Sequence, residues 1–296
     1  MKALEAGYAT HIASGATTLA YCWRLARADG MVLGFTDHDR TLHFDETDFV
    51  PAHGLDGSEV PAKFGAQVDT AEVLGVLHAD AITETDIALG RYDGAGVETF
   101  RVNWRDTSQR DLLRHDTIGE IVREDGVFRA ELRSGQQALN QVKGRVYQRL
   151  CNASLGDSQC GIDLEISAYR GFATVTSVEG RFRLGLSGLD GFDPGWFDFG
   201  HAVWASGQRI GLRDSVLSQT RLGGVDLLEF SMPVGDWASA GDELTVYAGC
   251  DRRFDTCRQK FGNGVNFRGF PHIPGSDYVL RYPRQGDALD GRAVVR

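Results

Sequence analysis

Apolar side chains along most of this chain recur at every second position, the spacing of a strand with one face turned inward. Leu19, Tyr21, Trp23 and Leu25 alternate, Ala28-Asp29-Gly30 offers a turn, and residues 31–35 return, which predicts an opening hairpin. Val97, Thr99, Arg101 and Asn103 alternate with Glu98, Phe100, Val102 and Trp104, and residues 119–123 and 127–132 flank Glu124-Asp125-Gly126 as the clearest hairpin. Apolar pieces at 67–69 and 73–77 read as further strands, as do 172–178, 182–186, 202–212, 227–232 and 244–247, with Leu222-Gly223-Gly224 as a turn.

The helical period is confined to short runs. Residues 2–12 place Leu4, Tyr8 and Ile12 on one face, with Ser14-Gly15 as the stop. Residues 82–91 place Thr83 and Asp86 at cap spacing. Residues 251–261 take Asp251 as cap, Phe254, Cys257 and Phe261 as one face, and Gly262 as stop. Residues 134–150 are helix-compatible but interrupted at Gly144. The expected class is mainly β, a β-rich α+β chain of two β domains with a short cysteine-bearing helix and loops. The composition shifts after Leu150, which divides the chain into 1–150, 151–275 and a polar tail of 276–296, either flexible or ordered on a partner.

Composition sharpens this picture in two ways. Thirty-seven glycines against seven prolines suit a chain of tight turns and bulges. The balance of 31 basic to 41 acidic side chains, formally −10, argues against sequence-specific nucleic acid binding. No apolar run approaches the roughly 20 residues of a membrane helix, and the first seven residues lack an apolar signal core, so folding in the cytoplasm is expected.

Four of the five cysteines form two pairs, Cys151 with Cys160 and Cys250 with Cys257, each at a loop or a strand-to-helix junction. Cys22 sits inside an alternating strand and reads as a small packed residue. A disulfide framework is disfavoured, since nothing directs the chain to an oxidising compartment. The spacings are wider than the short knuckles common in structural zinc sites, and iron–sulfur clusters also take four cysteine ligands. Between residues 251 and 268 five basic side chains (Arg252, Arg253, Arg258, Lys260, Arg268) face two acidic ones (Asp251, Asp255), a local excess that would stabilise anionic thiolates. Spacing and charge alone leave cluster and zinc equally open, beside a reading of unrelated buried thiols.

The stretch Cys250-Asp251-Arg252-Arg253-Phe254-Asp255-Thr256-Cys257, followed by Phe261, Asn263 and residues 266–275, resembles the C-terminal domain of a phage-associated family of tail baseplate hub proteins. Gly34-Phe35-Thr36-Asp37-His38-Asp39-Arg40 looks like the signature of that family's first domain. The cysteine pattern is also similar to that of the tail tip protein of lambda-like phages, with a longer gap between the pairs that implies an inserted β region. The resemblance implies a structural protein of a siphophage or gene transfer agent tail, a homotrimer set between the distal tail ring and the central fibre or penetration protein. It would be made in the cytoplasm and then carried in the released particle. It further implies that Cys151, Cys160, Cys250 and Cys257 hold a [4Fe-4S] cluster, with structural zinc as the lesser alternative. The aromatic segment Gly195-Trp196-Phe197-Asp198-Phe199 reads either as interface anchors or as ordinary packing.

Enzyme readings have weaker support. Thr36-Asp37-His38-Asp39 gathers two carboxylates and an imidazole, but neighbouring side chains diverge, and a turn stabilised by aspartates explains the segment better. The chain has no H-E-x-x-H, G-x-S-x-G or phosphate-loop motif. A Cys257–His272 peptidase pair would compete for a thiol already assigned, and no flavin, nicotinamide or haem motif accompanies the redox alternative. No catalytic residue is therefore expected.

Overall fold

The first helix, α1 (Ala6–Ala13), starts where the side chain of Glu5 accepts the N–H groups of Gly7 and Tyr8, and ends at Ser14 before Gly15 at φ 72°. It is one turn shorter at its start than the periodicity predicts, and of its residues only Tyr8 is buried. The computed structural model to which it belongs describes residues 4–51, 55–57, 70–75, 82–124, 127–135, 144–273 and 286. These fall into two compact units, Met1–Lys143 and Gly144–Arg296. Strands dominate both, so the chain is mainly β.

The first unit is an open, nine-stranded sheet in the order β3-β4-β2-β1-β7-β8-β9-β6-β5. Its strands are β1 (Leu19–Ala26), β2 (Val32–Thr36), β3 (Leu42–Phe44), β4 (Thr47–Pro51), β5 (Leu55–Gly57), β6 (Thr70–Gly75), β7 (Gly96–Asn103), β8 (Arg110–Glu124) and β9 (Val127–Ser134). The alternation of β1 and β7 feeds two apolar faces. Cys22, Phe100 and Val102 pack with Leu42, Phe44 and Phe49 on one face. Trp23, Leu25, Phe35 and Val97 pack with Ile82, Tyr92 and Ala95 on the other. Covering both faces explains why buried residues occur in runs as well as at every second position. The parallel pairing of β2 with β4 needs Gly34, because a Cβ there would stand 2.4 Å from the Asp48 carbonyl oxygen. The short helix α2 (Glu84–Ala88) begins as its sequence predicts, with the Asp86 N–H donating to Thr83 Oγ1.

The second unit holds a closed antiparallel barrel, β10-β11-β14-β13-β12-β15. Its strands are β10 (Arg170–Glu179), β11 (Arg183–Ser187), β12 (His201–Trp204), β13 (Arg213–Leu222), β14 (Val225–Phe230) and β15 (Glu243–Tyr247). Closure leaves the barrel without an edge. Its interior is filled by Val175, Leu184, Leu186, Trp204, Val216, Leu228, Phe230, Leu244 and Val246. A buried guanidinium, Arg209, forks onto Asp214, which also accepts from Trp204 Nε1 at 2.7 Å. A cap of loops, helix α3 (Phe254–Gln259) and a 3₁₀ turn (Gly264–Asn266) completes the unit.

Several sequence expectations are corrected. The strand expected at 202–212 is β12 and then a turn with Gly207 and Gly211 at positive φ, and β13 follows from Arg213, where no strand was expected. The turn is hidden in sequence because Ile210 and Leu212 continue the apolar rhythm, although Ile210 is exposed. β8 begins at Arg110 rather than 119, in a stretch whose polar composition masks its pairing with β7. Residues 144–150 are irregular rather than helical, and Ser134 ends β9. α3 begins at Phe254 with Arg253 as its N-cap, not Asp251. The expected pieces at 67–69 and 76–77, the turn residues 125 and 126, and all of the 276–296 tail except Gly286 lie outside the described residues.

Candidate metal centre

Each of the four paired cysteines is fixed by backbone geometry. Asp157 organises the first loop: its carboxylate accepts the N–H groups of Ser154, Gln159 and Cys160, at 2.7 Å in the last case. Those donors, Cys160 N–H foremost, hold its pKa below the usual aspartate value. Cys151 is tied to the other half of the unit by its N–H, which donates to Arg252 O at 2.8 Å. The second pair starts where β15 ends. There Gly249 and Gly200 pass so closely that a Cβ on Gly249 would stand 1.9 Å from Asp198 O, and one on Gly200 would stand 2.1 Å from Tyr247 O. Arg252 then adopts φ 63°, a left-handed conformation that a non-glycine residue reaches only under constraint from its surroundings. This turn lets one residue serve both pairs, since Arg252 also donates its N–H to Cys250 Sγ at 3.3 Å.

The result is convergence. Cys151, Cys160, Cys250 and Cys257, although 106 positions separate the first from the last, line one cavity of about 230 Å³. Its walls include Phe199, His201, Arg213 and Ser215 from the barrel side and Asn263 and Phe267 from the cap. N–H groups point at three of the sulfurs: Arg252 N at Cys250, Arg268 N at Cys151 (3.4 Å), and Asn263 Nδ2 at Cys160 (3.7 Å). Asn263 joins the two pairs, donating from Nδ2 to Cys160 O at 2.7 Å and from its backbone N–H to Cys257 O at 3.0 Å.

The electrostatics of the free thiols are unfavourable to ionisation. Burial pushes Cys257 up to about 11, and the neighbouring Cys250, Cys151 and Cys160 push the same way. Cys250 is raised chiefly by burial, against the opposing Arg252 N–H bond, with Asp251, Cys151 and Cys160 adding to the rise. Thiolates gathered in one cavity repel one another, and a cationic centre would offset that repulsion. Among the described residues no three His, Cys, Asp or Glu side chains form a group able to hold a metal ion. A mononuclear tetrahedral site would draw its sulfurs to about 3.8 Å from one another, given Zn–S near 2.3 Å. Four cysteine side chains around one cavity, with N–H groups on three of the sulfurs, are a donor set that suits a thiolate-bound metal centre, cluster or zinc alike.

Residues that the sequence did not single out as parts of the site are Asp157 and the backbone N–H groups of Arg252 and Arg268; Lys260 entered only as one of five basic side chains. An aspartate three positions before a cysteine is the loop-capping spacing that could have revealed Asp157. Asn263 entered only as part of the resemblance. The aromatic segment divides: Phe197 is wholly buried in the barrel core, whereas Phe199, at φ 60°, is 62% exposed. The Thr36–Asp39 segment is a braced turn in the first unit. Asp37 Oδ1 accepts Tyr21 N–H at 2.8 Å, and His38 Nδ1 accepts Arg40 N–H at 3.0 Å. Cys22 is buried beside Thr36, apart from the other four.

Comparison with known proteins cuts the chain differently from the two units, the first match running on into the second. Residues 5–163 match the family model described as "Baseplate hub protein, N-terminal attachment domain", and residues 195–277 match "Phage conserved hypothetical protein BR0599". The first match holds Cys151 and Cys160 and the second holds Cys250 and Cys257, so the cavity joins parts of both. Among solved structures, a chain from the virion of a native gene transfer agent (GTA) particle is similar over 97% of this chain and 99% of its own, with 42% identity and a TM-score of 0.89. No curated protein matches.

Proposed function

The chain belongs to the baseplate hub protein family and is a structural component of a phage-like tail baseplate, and from that premise we propose that it links the distal tail ring to the central fibre or penetration protein as a homotrimeric hub stabilised by an iron–sulfur cluster. The hub role is carried by one observation, the match of residues 5–163 to a baseplate hub attachment domain, and the likeness to a virion chain along almost the whole length of both proteins supports a place in the particle. The cluster is supported by the convergence of four thiols from two distant segments on one cavity.

When bound, an iron–sulfur centre supplies a covalent cross-link between the 151–160 loop and the β15–α3 junction. The chain's own residues prepare that link. Asp157 shapes the first loop, the left-handed turn at Arg252 connects both pairs, and Asn263 fixes Cys160 against Cys257. Binding would then add directly to the folding free energy of the second unit. The role is structural rather than one of turnover, and no residue is assigned a catalytic part. Protein purified without oxygen is expected to be brown, with a visible absorbance shoulder, about four irons and matching acid-labile sulfide per chain. Zinc without sulfide would replace this reading with a zinc-bound scaffold, and light scattering of the same sample tests the trimer.

A further inference from the structure

Lys260, at the C-cap of α3, is one of four lysines in a chain with 31 basic residues. Its side chain is turned inward. Nζ donates to the carbonyl oxygens of Trp196 and of Gly249, the latter at 2.9 Å and next in sequence to Cys250. It lies 4.7 Å from the centre of the Trp196 ring and 5.4 Å from that of Phe261. Among the described residues it makes no ion pair. Asp198 and Asp251 are its closest carboxylate influences, but Asp198 is engaged by Gln219 N–H and Asp251 by Arg253 N–H. A half-buried ammonium held by carbonyls and ring faces alone lacks the anion that normally offsets its desolvation.

The surrounding arginines do not fill the same role. Arg253 and Arg258 expose 75% and 61% of their side chains, so water and salt screen their charge. Arg213, Arg252 and Arg253 line the cysteine cavity but are exposed, whereas Lys260 is turned inward behind it, bonded to the carbonyl of Gly249, the residue before Cys250. Four thiolates would bring negative charge to a cavity that starts one residue beyond the Gly249 carbonyl its ammonium holds.

We propose that Lys260 is the internal counter-charge of the anionic centre held by Cys151, Cys160, Cys250 and Cys257, an assignment that rests on the cluster reading above. A fixed positive charge beside a cluster favours the state with one more electron, so it raises the reduction potential as well as retention of the cluster. A residue that only staples helix to barrel through hydrogen bonds would do neither.

The test compares the full-length wild-type protein with Lys260→Gln, which keeps an N–H donor without charge, and Lys260→Arg, which keeps the charge. Iron and sulfide are counted, and the midpoint potential is read from visible absorbance in a titration with dithionite, which supplies each electron and is itself oxidised. The expected result is a shift to lower potential in Lys260→Gln, or loss of its cluster, with Lys260→Arg close to wild type. Equal potentials and full iron in all three proteins overturn the assignment, as does equal loss of the cluster from both variants. Wild-type protein lacking iron and sulfide defeats the cluster reading itself and the counter-charge with it.

Discussion

Cys22 in the N-terminal sheet and Cys257 in the C-terminal cap are both buried thiols, and burial pushes both up to about 11. Their surroundings differ. Cys22 has Thr36 and an apolar face of Phe44, Phe49 and Phe100, a set that wants nothing further. Cys257 faces three other cysteines that repel its ionised form. Burial is therefore the same physical fact in two roles: in the sheet it completes a core, and in the cap it creates a demand for a cation. A perturbed thiol marks a site only where several converge.

The largest expected effect tests that contrast directly. Cys257→Ser removes one ligand and is expected to abolish bound iron and sulfide, at a loss on the order of 10 kcal/mol of metal-binding free energy if the site is structural. Hydrogen exchange across 151–163 and 250–268 should rise, and tail particles should fail to assemble. Cys22→Ala should keep full iron content and change only local packing. Normal particles from Cys257→Ser would remove the structural role of the centre, and iron loss from Cys22→Ala would erase the distinction.

The second contrast lies in charge. Asp214 and Arg209 are a buried pair inside the barrel unit, with Trp204 Nε1 as a third partner. The sheet's Arg110–Asp45 pair is 30% and 41% exposed. Asp214→Ala leaves a guanidinium and an indole N–H buried without their acceptor, so a loss of about 3–5 kcal/mol is expected. Asp45→Ala should remove less than about 1 kcal/mol. Urea unfolding of the two variants measures the difference, and similar midpoints would show that the barrel pair is reached by water.

The same asymmetry governs what could be read in advance. The hairpin around Ala28-Asp29-Gly30 was legible because period and turn signal agree, whereas at Leu222-Gly223-Gly224 the turn was legible but the strand before it was not. The expected 202–212 strand ran past the end of β12 and β13 was not read at all, because the turn between them is fixed by the buried Arg209–Asp214 pair, a tertiary fact with no local mark. The four cysteines could be picked out as a set from residue type and position. What brings them together was invisible: the positive φ of Arg252, the backbone crossing at Gly200 and Gly249, and the inward Lys260 all depend on segments distant in sequence.

Acid should separate the two units next. His201, on the barrel wall of the cavity, is lowered from 6.5 to about 4, first by burial and then by Arg213. The unfolded chain binds that proton more readily, so this contribution is fully present above pH 6.5 and is lost as pH falls toward 4. In the sheet, Asp29 is held below 3.8, chiefly by Arg27, and its contribution gives way only under more acid conditions. The protection factor of β15 against hydrogen exchange should therefore fall between pH 6.5 and 4 while that of β1 stays flat, and His201→Gln should flatten β15 as well. A slope retained in His201→Gln assigns the sensitivity to another group.

The smallest effect concerns how helices begin. In the first unit, α2 carries its own start signal, Thr83 accepting from Asp86 N–H. In the cap, α3 begins at Arg253 with no side-chain cap, and the local bond at its start is from Arg253 N–H to the Asp251 carboxylate, outside the helix. Its register is set by Asn263 and by the bonds around Cys250 and Cys257. Thr83→Ala should then destabilise its unit by about 1 kcal/mol, whereas Arg253→Ala, at a side chain 75% exposed, should change the cap by less than half of that. If Arg253→Ala proved the more damaging of the two, α3 would be a locally encoded helix like α2, and its dependence on the cysteine site would be lost.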